Sequence, residues 1–155
     1  MLKKLSVLIF LVLVLSACDG RRETVTICEV DQAIFGAEIL PGYSIVQLDA
    51  IGDRVSIQAD SIHFEIEPYL DHFHMDLEGA IEFWEMTSFL MPDGLTIEVD
   101  ATDTHIIVKR ITDFEEMSQV DLAAIYDLDD DVRFISLRLT VERIEDEQGG
   151  TCQVQ

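Results

Sequence analysis

At 155 residues the chain is long enough for one hydrophobic core but not for two comfortable ones, and its 48% hydrophobic content is too high for an intrinsically disordered segment. It carries 31 Asp and Glu against 10 Lys and Arg, a formal net charge of −21. A field of that sign repels phosphate backbones and anionic lipid headgroups, which excludes nucleic acid as a partner and leads us to expect a folded domain that stands off the membrane.

Lys3 and Lys4 open the sequence with a short positive segment, and Leu5 to Ala17 follow as thirteen uncharged residues. An α-helix needs about 20 apolar residues to cross a bilayer core, so this stretch is too short for a permanent span and has the form of a secretion signal over residues 1–17. Leu15-Ser16-Ala17-Cys18 then resembles the lipobox of bacterial lipoproteins, an aliphatic residue and two small ones before a cysteine that becomes the mature amino terminus. The small side chains let a peptidase close on the bond before Cys18, whose sulfur is the nucleophile that takes up diacylglycerol. The resemblance implies lipid attachment at Cys18, with residues 18–23 as a tether. Two or three acyl chains, at roughly 0.8 kcal/mol per buried CH₂, anchor stably. Asp19 is the aspartate that keeps enterobacterial lipoproteins at the inner membrane, and in a Gram-positive cell only the cytoplasmic membrane is available. Either way, the expected address is the extracytoplasmic face of the cell membrane. Removing Lys3 and Lys4 with the signal leaves eight cations against 31 carboxylates.

With Cys18 consumed by lipid, Cys28 and Cys152 remain, in a compartment where disulfides persist. An even pair most simply forms one bridge, which would tie the first strand to the tail; two separate buried thiols are the alternative. Neither cysteine has the CxxC spacing of a redox or zinc site.

Residues 24–155 read as a single domain. Thr24 to Val30 is expected as a strand, and Asp31 to Leu40 is less regular and ends at Pro41-Gly42. Tyr43 to Asp49 and Arg54 to Asp60 flank the turn-prone Gly52-Asp53, a hairpin pattern. Val55, Ile57 and Ala59 alternate with polar residues, and Ile62, Phe64 and Ile66 continue in the other phase, which places a bulge or turn near Ser61. After Pro68 the period changes: Leu70, Phe73, Leu77, Ile81 and Trp84 recur at helical spacing opposite Asp71, His74, Glu78, Glu82 and Glu85, which predicts one amphipathic helix. Pro92-Asp93-Gly94 stops it. Leu95 to Val99 and Thr104 to Ile111 form a second hairpin, and a shorter helix is expected over roughly Phe114 to Leu128, with Thr112 or Asp113 as caps. Ile135, Leu137, Leu139 and Val141 alternate with polar residues as a long closing strand. The sum is an α+β domain, a mostly antiparallel sheet built from hairpins with two helices packed on one face.

The order of elements, the early Cys28, the Gly52-Asp53 hairpin, the run Asp93-Gly94-Leu95-Thr96-Ile97-Glu98-Val99, the exit Ile111-Thr112-Asp113, and Gly149-Gly150-Thr151-Cys152 after Ile135-Ser136-Leu137 together resemble the YehR-like lipoproteins, over about Thr24 to Cys152. That resemblance implies the lipoprotein address and the terminal cysteine pair. It implies no activity and no catalytic residues, and this chain is unusually acidic beside that group.

Candidate chemistry is sparse. Asp71-His72-Phe73-His74 offers three ligand-type side chains, but on a helix His72 and His74 point roughly 200° apart and cannot grip one metal. His63 and His105 lie on different strands without a nearby cysteine. Asp127-Leu128-Asp129-Asp130-Asp131 begins like a calcium loop, yet its sixth position is Val132 instead of glycine and its twelfth is Arg138 instead of glutamate, which excludes an EF-hand. Phe83 and Trp84 read as core aromatics before a ligand platform. No GxSxG elbow, phosphate-cradling loop or HExxH is present. These residues assign no metal, cofactor or catalytic group. They favour a non-enzymatic envelope module that binds a partner protein, a peptide or a small ligand, the alternative being a hydrolase-type enzyme whose site is assembled from scattered residues.

Overall fold

The computed structural model describes residues 22–35, 38–126 and 134–155. Long alternating segments build one antiparallel sheet from β1 (Glu23–Val30), β4 (Gly42–Ile51), β5 (Arg54–Glu65), β6 (Leu95–Ala101), β7 (His105–Asp113) and β8 (Thr151–Val154), in the order β6-β7-β5-β4-β1-β8. A two-stranded hairpin, β2 (Ala33–Phe35) with β3 (Glu38–Leu40), occupies the irregular stretch before Pro41. The helices are α1 (Ile66–Phe73), α2 (Leu77–Ser88), α3 (Gln119–Tyr126) and α4 (Leu137–Gln148). The architecture is α+β, with an antiparallel sheet made largely of hairpins. None of the helices among the described residues is long and apolar enough to cross a membrane.

Both hydrophobic clusters lie on the same face of the sheet. Under α1 and α2, Ile62, Phe64, Ile106 and Val108 pack against Tyr69, Ala80 and Trp84; under α3 and α4, Cys28, Val30, Val46 and Leu48 pack against Leu122 and Ile144. The opposite face, with Ile27, Ile45, Gln47, His63 and Lys109, is covered by no helix among the described residues, and these side chains are partly or fully exposed. A glycine is required where β4 starts: Gly42 has φ +142°, and a Cβ there would stand 1.9 Å from the carbonyl oxygen of His63.

Several elements depart from the sequence reading. The change of phase in β5 sits at Ser56, not Ser61: Asp49 pairs with Ile57 and Ala50 with Val55, leaving Ser56 as the extra residue of a bulge. From there on the core face of β5 reads Gln58, Asp60, Ile62 and Phe64, so two polar residues hold positions that the apolar pattern assigned to Ile57 and Ala59. The single amphipathic helix is two. His74 closes α1 in the left-handed conformation at φ 53°, and the Asp76 carboxylate accepts from the Gly79 N–H at 2.8 Å to cap α2. Pro68 lies inside the first turn of α1, where its missing N–H has no helical partner to lose. Residues after Asp113 turn before α3, with the Asp113 carboxylate accepting from the amides of Glu115 and Glu116. The expected closing strand is the helix α4. Ser136 caps it by accepting from the Leu139 N–H, Gly149 ends it at φ 67°, and Thr140 and Ile144 are its buried residues.

Cys28 and Cys152 are directly opposed in the β1–β8 pairing and form a disulfide across 124 residues of sequence. At the other end of β1, Asp53 in the β4–β5 turn accepts from the Arg138 N–H at 2.8 Å and from the Ser136 hydroxyl at 2.7 Å. These two donors hold its carboxyl below the usual aspartate range and clamp the hairpin to the start of α4. A closed loop of this length constrains the denatured chain by about 5 kcal/mol in the chain-entropy model, which serves as a ceiling. The Cys28→Ala/Cys152→Ala variant is therefore expected to lose about 2–5 kcal/mol of unfolding free energy. Urea denaturation of both proteins checks this, and equal midpoints would contradict it.

Candidate functional site

Polar residues at the centre of the sheet's core face define the site. In the register of β7, β5 and β4, Arg110 stands opposite Asp60 and Asp60 opposite Val46, while in the next row Thr112 stands opposite Gln58 and Gln58 opposite Leu48. The inward alternation therefore places four polar side chains side by side where a sheet of this kind carries aliphatics. Arg110 donates from Nε at 2.7 Å and from Nη2 at 2.5 Å, both to Oδ2 of Asp60. Gln58 donates from Nε2 to Oδ1 at 2.9 Å, so both carboxylate oxygens are engaged. This contact also fixes the amide's orientation, since the opposite flip would turn Oε1 toward the carboxylate. Gln58 Oε1 is buried and has no hydrogen-bond partner among the described residues.

The pair is asymmetric in access. The Asp60 side chain is 4% exposed and that of Arg110 is 26% exposed, so Arg110 is the more accessible member of the pair. Burial alone would draw the Arg110 guanidinium down, but Asp60 and the neighbouring Tyr126 outweigh it and the net direction is up, which keeps the group charged. Burial pushes the Tyr126 phenol up, against the opposing pull of its hydrogen bond to Thr112 and of Arg110. Tyr126 is thus a neutral donor, with its hydroxyl 3.1 Å from Thr112 Oγ1.

These groups border a cavity of about 410 Å³ between the sheet and the pair α3 and α4. Ser44, Gln58, Asp60 and Arg110 line its sheet side, Tyr126 comes from α3, and Thr140 and Arg143 come from α4. The Ser44 hydroxyl donates to the Gln32 carbonyl at 2.8 Å and so fixes the approach to β2 at the cavity wall. Arg143 is exposed and lies close enough to Tyr126 to draw its phenol down. The volume falls within the 300–1,000 Å³ typical of small-molecule sites. The charged lining is two arginines, Arg110 and Arg143, and two carboxylates, Asp60 and Glu147, with Asp60 held by Arg110.

The residues singled out from sequence lie elsewhere. Cys28 and Cys152 are in the disulfide. Cys18, Asp19 and Asp127 to Asp131 lie outside the described residues. His72 Nε2 is 3.1 Å from Glu38 Oε2, and His74 sits beyond the end of α1. His63 stacks on Tyr43 with ring centroids 4.2 Å apart, and His105 approaches both edge-on, on the open face of the sheet. Burial, then His105 and Lys109, lower the His63 imidazole. Trp84 is core, donating to the Tyr69 hydroxyl at 2.9 Å, while Phe83 beside it is exposed. Among the described residues no three His, Cys, Asp or Glu side chains gather as a metal site would require.

The fold has a solved counterpart. The NMR structure of the E. coli YehR protein superposes with a TM-score of 0.60, covering 86% of this chain and 92% of that one at 15% identity. The fold is YehR-like. At this identity the likeness concerns the fold alone and carries over no residue roles. No protein-family model matches the sequence, and no curated protein matches it either.

Removing one partner of the central pair strands a charge away from water. Asp60→Ala is expected to lower the unfolding free energy by about 3 kcal/mol, at the low end of the range for buried pairs because Arg110 retains some exposure. Urea unfolding measures the loss, and a change within about 0.5 kcal/mol, the scale of an ordinary surface substitution, would contradict the burial of the pair.

Proposed function

We propose that this protein is a lipid-anchored, extracytoplasmic, non-enzymatic binding module that takes a small anionic ligand, such as a carboxylate, in the cavity between the sheet and α3–α4. The observation that carries the reading is the Asp60–Arg110 pair, with its partly exposed Arg110 side chain, bordering a cavity that is open to solvent. A buried ion pair contributes little net stability compared with packed apolar residues, and Gln58 places a second polar side chain beside it on the cavity lining. A folding sequence has small reason to keep this arrangement for stability alone. Arg110 and Arg143 supply positive charge on two walls; the Asp60 carboxylate is already paired with Arg110, and Arg143 is the second cation that would meet a ligand carboxylate in competition with Glu147. Binding is favoured over catalysis because both Asp60 oxygens are already occupied by donors, which leaves no free carboxylate there to act as a base.

The anchor rests on Leu15-Ser16-Ala17-Cys18 and the apolar segment before it. Its expected consequence is that Cys18→Ser either releases the protein from the membrane or leaves it unprocessed; mutant protein of mature size that still partitions with the membrane would contradict the anchor. For the cavity, thermal unfolding is followed with acetate, butyrate, glutamate and succinate at matched ionic strength. A carboxylate at 100 times its Kd should stabilise the fold by about 2.7 kcal/mol, and Arg143→Glu should abolish the effect. If all four act no differently from chloride, the anionic-ligand reading is wrong.

A further inference from the structure

The strands place the tether and a patch of exposed apolar side chains at the same end of the sheet. β1 is antiparallel to β4, β4 to β5, β5 to β7 and β7 to β6, so β1 and β6 begin at one end. Gly94, just before β6, accepts from the Asp113 N–H, and Asp113 pairs with Ile57 and Ile57 with Asp49, which faces Val25 near the start of β1. The register therefore sets Gly94 level with Val25, so the turn between α2 and β6 lies at the end of the sheet where β1 begins. The end of α2 and this turn carry Met86, Phe89 and Leu90, which are 66%, 87% and 79% exposed. Large apolar residues grouped in the open mark a contact surface.

From this juxtaposition we infer that the end of the sheet bearing Met86, Phe89 and Leu90 rests on the lipid bilayer, an inference that depends on the anchor at Cys18 proposed above. Residues 18–22 span at most about 18 Å when extended, and β6 lies four strands from β1, about 19 Å across the sheet. An acylated Cys18 would hold this rim within reach of the headgroup boundary, where apolar side chains gain by leaving water. The overall charge led us to expect the domain to stand off, and Glu23, Asp53 and Asp93 at this same end oppose contact with anionic headgroups. The surface that fits the rim is the apolar boundary of a zwitterionic bilayer. The cavity, on the helix side of the sheet, is left open to the surroundings.

The test uses lipidated protein extracted from membranes and placed in phosphatidylcholine nanodiscs containing a phospholipid with a photoreactive diazirine near the top of its acyl chain. After illumination, mass spectrometry is expected to find label on residues 18–22 and on the peptide holding Met86, Phe89 and Leu90. Ile39, an exposed apolar residue in the β2–β3 hairpin that precedes the start of β4 at the opposite end, should stay unlabelled. Phe89→Ser/Leu90→Ser should lose the label on that peptide while the tether keeps its own. A labelled tether with an unlabelled rim overturns this inference and leaves the anchor standing, as does cross-linking of the rim to a second copy of the chain. A Cys18 without acyl chains overturns both.

Discussion

The contact between Asp60 and Arg110 determines how the helical layer can cover the sheet. An ion pair on the core face cannot be sealed beneath aliphatic side chains without losing the solvation and hydrogen bonds that keep both groups ionised. The apolar packing accordingly falls into two clusters, one under α1 and α2 and one under α3 and α4. Arg110 remains reachable, Gln58 completes the carboxylate's bonds, and the space beside them stays unfilled. The cavity is thus a product of two polar residues in β5 and one in β7, each placed by ordinary strand alternation after the bulge at Ser56.

The elements around the cavity are held from outside it. The disulfide joins β8 to β1, and Asp53 joins the β4–β5 turn to the start of α4. Since α4 lies between these two fastenings in the sequence, its cavity-facing residues Thr140 and Arg143 are tied to the sheet on both sides. Among the described residues the helices cover one face of the sheet only, and the end of the sheet at which β1 begins also carries the exposed Met86, Phe89 and Leu90.

Much of this was legible in the sequence because local patterns decide it. The Gly52-Asp53 turn, the hairpin after Gly94, the antiparallel character of the sheet and the pairing of Cys28 with Cys152 follow from alternation, turn chemistry and cysteine parity. The closing element was misread because Ile135, Leu137, Leu139 and Val141 alternate like a strand. The competing signals were Ser136 as a cap, Thr140 and Ile144 at helical spacing, and Gly149-Gly150 as a stop. His74 and Asp76 similarly concealed a helix break inside a continuous apolar stripe. The site itself was missed for a different reason. Asp60 and Arg110 are 50 residues apart, and only the register of β5 against β7 joins them. A carboxylate in a chain with 31 acidic residues gives no local sign of burial. The one available signal was the interruption of apolar alternation in β5 by Gln58 and Asp60, which reads as a solvent face unless the bulge is placed correctly.

The central claim is that the polar centre of the sheet is kept for binding and not for stability. Replacing it with apolar residues, in a Gln58→Leu/Asp60→Leu/Arg110→Met variant, tests this directly. The account predicts a urea midpoint at least equal to that of the unaltered protein, because buried pairs are commonly matched or exceeded by packed apolar side chains and the adjoining cavity can accept the added volume. A variant that unfolds several kcal/mol more easily, as the single charge deletions should, would contradict it.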